Sequence, residues 1–365
     1  SDLVTGVQTC ALPICVVVIS QNAQGEATMP RTIIIGDIHG WYAELLDLLD
    51  KAGIGDDDMI VSVGDIIDRG PEPREVVEFF RNRKNGVVII GNHERKHIRG
   101  VLSYSQQVAK LQIGEAYSHH IRWLETLPYY WERDDVRVVH WGLFPGTPLA
   151  QVPEDVLAGT ASGDTKLKER YGEQPWYDFY DDDKPVVFGH SVVGSEPLII
   201  RERIFGLDTG ACHGMRLTGL LLPEMRVVSV PARADHWALV REQWQAPVLR
   251  TLSWPTMTFE QIDKKVRSLR DPELDREVLD GIVSWAVQLR AAIPGLREKL
   301  DAEVTRLVEE AGDEFGRVAA SHPASAWLHR WHTGRLSREH LGCSTPEQLV
   351  RLAMALGTIL PGEPL

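Results

Sequence analysis

Cysteine is scarce, and none of it is arranged for a zinc finger or a redox pair. Cys10, Cys15, Cys212 and Cys343 show no CxxC spacing and no disulfide framework. A reducing, cytoplasmic setting is therefore the expectation. Long apolar runs are also missing. The longest, around residues 11–19, is interrupted by Pro13 and is too short to span a bilayer, so no membrane partner is expected. Residues 1–30 contain no Lys or Arg, whereas a secretory signal opens on basic residues. Positive charge is short overall: 39 Lys and Arg stand against 52 Asp and Glu, a net charge of −13. Sequence-blind binding of nucleic acid neutralises phosphates with basic side chains, so a nucleic-acid partner is not expected. The remaining composition is ordinary. With 43% hydrophobic and 25% charged residues over 365 positions, the chain suits one large folded domain plus a smaller one.

The N-terminus stands apart. Val4–Ile14, VTGVQTCALPI, resembles the in-frame translation of a sequencing-library adapter, and Met29 opens MPRTIIIGDIHG. The expected organisation is a non-native or unstructured extension over 1–28, a catalytic domain over 29–235 and a mainly helical accessory region over 236–365. In that last region Leu296, Leu300, Val304, Leu307 and Ala311 form one amphipathic stripe without a chemical motif.

From Arg31 the chain alternates strand, motif and helix. Thr32–Ile35 ends in GDIHG, and the apolar stripe Trp41, Leu45, Leu48, Leu49, Ala52 predicts a helix after it. Met59–Val63 ends in GDIIDRGP, and a helix is predicted over Arg74–Arg83. Val87–Ile90 ends in GNHE, followed by a helical stretch over about His97–Leu127. Later strands are predicted at Val136–His140, Val186–Phe188, Ile204–Leu207, Leu217–Leu222 and Arg226–Val230, the last two as a hairpin. Early α/β alternation followed by a strand-rich half predicts an α/β fold of two stacked mixed sheets flanked by helices, with a C-terminal helical region.

The strand ends carry the chemistry. Asp37 and His39, then Asp65, then Asn92 and His93, then His140, then His190 follow successive apolar runs. Ligands bind at such ends in open α/β sheets. Each piece alone has an ordinary alternative: a turn residue for Asn92, a helix cap for Asp65 or Asp68, a satisfied histidine for His140. Five strand ends each bearing a metal-capable residue favour one shared site. Hard oxygen donors mixed with imidazole suit Mn, Fe or Zn.

The set GDIHG, GDIIDRG and GNHE, with the later VVHWGLFP and VFGHSVV, resembles the calcineurin-like metallophosphoesterases of the phosphoprotein-phosphatase superfamily over about Arg31–Pro231. The resemblance implies a four-layer sandwich and a two-metal hydrolase. Asp37, His39 and Asp65 would hold the first ion. Asp65 would bridge to a second completed by Asn92, His140 and His190. It implies two divalent ions, with Mn²⁺ the first choice. Arg69, with Asn92, would bind substrate phosphate, and His93, oriented by Asp68, would protonate the leaving group. Asp208 would fix the LDTGACHG loop, in which His213 reads as a solvated loop residue. Arg170 is the single candidate for a second phosphate-binding arginine between His140 and His190. Asp68 and Glu94 resemble the bacterial and phage serine/threonine protein phosphatases, so a phosphoprotein is the first substrate reading. A diadenosine tetraphosphate or other nucleotide is the alternative, and a binding module on an inactive core is a third. Oligomeric state is not legible.

Removing residues 1–28 should leave turnover and melting temperature unchanged. A clear loss of either, measured on a protein starting at Met29, would show that the extension is part of the enzyme.

Overall fold

The computed structural model describes residues 31–269, 276–336 and 341–364. The expectation for residues 1–28 lies outside them. The chain divides into two compact units that meet in sequence between Trp237 and Ala238.

In the first unit, β1 (Thr32–Ile35), α1 (Tyr42–Ala52), β2 (Met59–Ser62), α2 (Pro73–Asn82) and β3 (Gly86–Val88) follow the anticipated alternation. Three helices come next: α3 (Asn92–Ile98), α4 (Tyr104–Ile113) and α5 (Tyr117–Leu124). Then come β4 (Tyr130–Arg133), β5 (Val136–Val139), α6 (Glu154–Leu157), α7 (Ala161–Tyr171), β6 (Val186–Phe188), β7 (Leu198–Ile200), β8 (Ile204–Gly206), β9 (Arg216–Leu222) and β10 (Arg226–Pro231). The strands form two five-stranded sheets, ordered β10-β9-β1-β2-β3 and β4-β5-β6-β8-β7. In the first, β1 to β3 are parallel and β9 pairs antiparallel with both β1 and β10; in the second, β5, β6 and β8 are parallel between antiparallel edges β4 and β7.

The period of two along β1 builds the layers. Ile34 points into a cluster shared by both sheets, with Val61, Leu220, Val138, Val187 and Phe205. Ile33 and Ile35 point the other way, onto Leu45 and Leu48 of α1 and Val76 and Phe80 of α2. A third cluster joins Val186 and Phe188 of β6 to Leu157 and Trp176. The sheets therefore stack face to face, with helices outside each.

Local departures have physical causes. The stretch expected to be helical over His97–Leu127 is broken at Gly100 and Gly114, both with positive φ. Strand β3 stops at Val88 because the Ile90 N–H donates to the Pro128 carbonyl at 2.8 Å instead of continuing the ladder. The edge strands β4 and β7 were not anticipated. They are three or four residues long and half-exposed, so they carry no clear alternation.

The second unit holds most of α8 (His236–Thr251), then α9 (Phe259–Leu269), α10 (Glu277–Ala311), α11 (Phe315–Ala320), α12 (Ser325–His332) and α13 (Pro346–Ala355). Its core gathers Trp254, Ile282, Trp285, Leu289, Leu328 and Leu349. Leu296, Leu300, Val304 and Leu307 of the anticipated stripe are buried, while Ala311, at the helix end, is half-buried. Among the described residues, no helix is long and apolar enough to cross a membrane.

Ile34 is fully buried between the sheets. Ile34→Ala should cost about 2–5 kcal/mol of stability through lost transfer energy and the cavity left behind. Urea denaturation followed by circular dichroism reads this, and a loss under about 1 kcal/mol would contradict the stacked-sheet core.

Candidate metal centre

Five chain segments bring the motif residues to one rim. Asp37 and His39 follow β1, and Asp65, Asp68 and Arg69 follow β2. Asn92 and His93 open α3, His140 follows β5, and His190 follows β6. Backbone bonds lock the loops together: the His39 N–H donates to the Asp65 carbonyl at 2.8 Å, and the Gly189 N–H to the His140 carbonyl at 2.9 Å. Two glycines permit the closest approaches. A Cβ at Gly91 would lie 2.1 Å from Asp65 Oδ1, and one at Gly189 would lie 2.0 Å from Asp37 Oδ1. Of the nine non-glycine residues with positive φ among those described, five are at this rim: His39, Asp65, Asp68, Arg69 and His190. Backbone strain of that kind persists where surrounding contacts over-determine it, and it gathers at functional sites.

Asp65 is the hinge of the arrangement. Its Oδ2 lies 3.8 Å from Nε2 of both His39 and His93, and its Oδ1 lies 3.5 Å from His140 Nε2. Two groups of ligand atoms result, His39 with Asp65 and His93, and Asp65 with His140 and His190. In the second, Asn92 Oδ1 stands 3.3 Å from His140 Nε2 and 3.2 Å from His190 Nδ1, and the two imidazole nitrogens are 3.2 Å apart. Tetrahedral donors about 2.0–2.1 Å from an ion have such separations, roughly 3.3 Å. Asp37 is looser: its Oδ2 lies 4.0 Å from His39 Nε2, and its Oδ1 accepts the His190 N–H at 3.0 Å.

The tautomers suit metal binding. The His39 Nδ1–H donates to the Ile67 carbonyl and the His140 Nδ1–H to the Val63 carbonyl, leaving each Nε2 lone pair turned inward. Burial holds both imidazoles below their ordinary pKa, and burial together with His140 brings His190 down to about 3. A lowered pKa favours the neutral imidazole, the form in which histidine binds a metal. Although buried, Asp65 is held well below the usual carboxylate range by His140, His93, His39 and His190, whereas Asp37 and Asp208 lack such compensation. Burial, then Asp208 and Asp65, push Asp37 well above the usual range, and burial lifts Asp208 to about 6. Arg69 is the basic side chain that faces them. Divalent cations supply the missing positive charge, so the donor set fits them.

A second network surrounds the proton-transfer candidate. The His93 Nδ1–H donates to Asp68 Oδ2 at 2.6 Å, and the His97 Nε2–H to Asp68 Oδ1 at 2.7 Å. The Tyr117 hydroxyl donates to His97 Nδ1 at 2.8 Å, and the Gln106 amide donates to Asp68. Although buried, Asp68 is held well below the usual carboxylate range by His97 and His93. Arg69 donates to His93 Nε2 at 3.1 Å, to His39 Nε2 at 3.3 Å and to Cys212 Sγ at 3.2 Å.

His97, Gln106, Tyr117 and Cys212 were not anticipated. Only His97 had a signal: it lies one helical turn after His93. Glu94, read from sequence only as a marker of the phosphatase branch, proves to be a clamp. Its Oε2 accepts the N–H groups of Asp65 at 2.8 Å and Gly91 at 2.9 Å, and its Oε1 accepts that of Ile66 at 2.9 Å. Arg170 is exposed, its guanidinium 4.7 Å above the Phe144 ring, and His213 is exposed on its loop. Asp208 accepts the Gly210 N–H at 3.1 Å, within the turn where it was expected.

The family profile of the calcineurin-like phosphoesterases matches residues 30–213. The chain belongs to the calcineurin-like phosphoesterases. It is accordingly a metal-dependent hydrolase of phosphoric esters, of a family that uses two metal ions. This phosphoesterase is 30% identical to an asymmetrical bis(5'-nucleosyl)-tetraphosphatase of Halalkalibacterium halodurans, over 55% of this chain and 93% of that protein. A protein of the same name from Geobacillus thermodenitrificans is 31% identical, over 56% of this chain and 95% of its own length. Among solved structures, a metallophosphoesterase from Sphaerobacter thermophilus is similar at 22% identity with a TM-score of 0.38, covering 59% of this chain and 94% of that one.

Glu94→Gln places an amide NH₂ against backbone N–H donors. It should lower stability by about 1–3 kcal/mol, the cost of unpairing buried donors. It should also weaken Mn²⁺ binding, because the Asp65 loop loses its clamp. Chemical denaturation and calorimetric Mn²⁺ titration measure the two effects; wild-type values for both would refute the clamp.

Proposed function

We propose that the phosphoesterase cleaves nucleotide polyphosphates of the bis(5'-nucleosyl) type, with residues 31–237 as the catalytic unit and the helical unit as an accessory. The observation that carries the site reading is the Asp65 carboxylate, whose two oxygens face two imidazole-lined groups. The substrate reading is supported by the relatives, which are matched over nearly their whole length. Asp68 and Glu94 keep a phosphoprotein as the second reading.

Asp37, His39 and Asp65 would hold one ion, and Asp65, Asn92, His140 and His190 the other. Mn²⁺ is the first candidate, with Fe or Zn as alternatives. Bound there, such ions would supply Lewis acidity towards phosphoryl oxygens and lower the pKa of water towards neutral. The Arg69 fork clamps the phosphate, with the Asn92 amide beside it. Protonated at Nε2 as well as Nδ1, His93 would give the Nε2 proton to the leaving oxygen; in the unprotonated ring that nitrogen accepts from Arg69. Asp68 fixes its tautomer from Nδ1, and His97 and Gln106 in turn fix Asp68. This division of labour makes leaving groups diagnostic. An alkoxide needs His93's proton; a leaving phosphate or p-nitrophenolate needs little.

Asp65→Asn should lose metal and turnover together. His93→Asn should keep its metal and slow an alkyl phosphate such as phosphoserine by roughly 10²–10⁴-fold, with a much smaller effect on diadenosine tetraphosphate. Elemental analysis and kcat on both substrates decide this. Loss of metal in His93→Asn would make His93 a ligand, which its place beside His39 and Asp65 also permits. For the wild type with Mn²⁺, kcat/KM on diadenosine tetraphosphate should exceed that on a phosphopeptide at least tenfold. The reverse order would replace the nucleotide reading by the phosphoprotein one.

A further inference from the structure

A cleft of about 570 Å³ opens beside His190, within the size range of small-molecule sites. Trp141, Trp176 and Tyr177 give it aromatic walls, and Lys168 and Asp164 stand at its edge. Apart from His190, the hydrolytic scheme above uses none of its lining residues. The Trp141 ring is held in place twice: its indole N–H donates to Asp164 Oδ1 at 2.9 Å, and it packs against the His190 ring with centroids 5.1 Å apart. Trp176 is 2% exposed, yet its indole N–H has no hydrogen-bond partner.

We infer that this cleft is the nucleobase subsite of the phosphoesterase: a base stacks on its aromatic walls while its 5'-phosphate reaches the rim at His190. The inference rests on the nucleotide reading above and adds the place where the nucleoside is recognised. Two features select a base over other occupants. Every base presents a π face for stacking. The cleft also borders a proposed ligand of the phosphate-binding ions, and in a 5'-nucleotide one ribose separates the base from the phosphorus. Lys168 adds a cation near the stacked ring, its ammonium 3.4 Å from Glu173.

The test compares adenosine 5'-monophosphate with ribose 5-phosphate as competitive inhibitors of p-nitrophenyl phosphate hydrolysis by the full chain with Mn²⁺. The nucleotide should inhibit at a concentration at least about tenfold lower, the gain coming from the base. That ratio should fall towards one in Tyr177→Ala. Reading the ratio within each variant cancels general damage to the metal site. Lys168→Ala, an exposed change that threatens no fold, should lower the ratio as well. Equal inhibition by the two compounds in the wild type, or a ratio unmoved by the variants, overturns the subsite even if diadenosine tetraphosphate is a good substrate. A phosphotyrosine peptide that outcompetes the nucleotide assigns the cleft to a side chain and also overturns it. If the nucleotide advantage holds while diadenosine tetraphosphate resists hydrolysis, the subsite stands and the proposed substrate falls.

Discussion

Buried negative charge without matching positive charge governs this molecule. Asp37 and Asp208 are each at most 5% exposed, and they crowd one rim with Arg69 as the facing cation, beside an equally buried Asp65 that its imidazole neighbours hold low. Such burial is tolerable only if cations take up the charge, and the neutral imidazoles around Asp65 are the donors that would hold them. Other local features serve the same demand. Gly91 and Gly189 let the backbone press against the carboxylates, strained turns aim the donors, and Glu94 ties the Asp65 loop to α3. The sandwich supplies strand ends at which five loops can meet.

Much of this was legible because ligand type and strand end coincide in the sequence. Ile34 followed by Gly36 and Asp37 says in a few residues that a buried strand stops at a chemical group. The parallel order and the stacked core follow from the same apolar runs. What stayed hidden depends on contacts distant in sequence. Gln106 reaches Asp68 from another helix, and its own neighbourhood, YSQQVAKLQI, reads as an ordinary amphipathic segment. Cys212 meets Arg69 across the rim, and a lone cysteine announces nothing. The cleft beside His190 is assembled from a helix end and a short 3-10 turn over Trp176–Phe179, neither with a periodicity to read. Glu94 was visible, but its task, accepting backbone N–H groups from two loops, becomes apparent only once those loops are folded.

The helical unit obeys a simpler rule. Its stripe of Leu296, Leu300, Val304 and Leu307 is buried as the helical period demands, and its core is built from Trp, Leu and Ile, with no metal-capable cluster among its described residues. Packing alone accounts for it, so its sequence reports shape more than chemistry.

The pairing of β1 with β9 also governs the order in which the protein can be made. Thr32 aligns with Leu222 and Ile35 with Gly219, so the strand that begins the first sheet is flanked by one from the end of the unit. During synthesis β1 can pair with β2 early, but its other edge stays open until residue 222 has left the ribosome. Closing so long a loop carries an entropic cost before its contacts return anything, which slows folds of this connectivity. In the interval the Thr32–Ile35 strand, TIII, presents unpaired backbone and three isoleucines to any other chain. A nascent protein of this topology therefore depends on swift completion or on a chaperone that covers that edge.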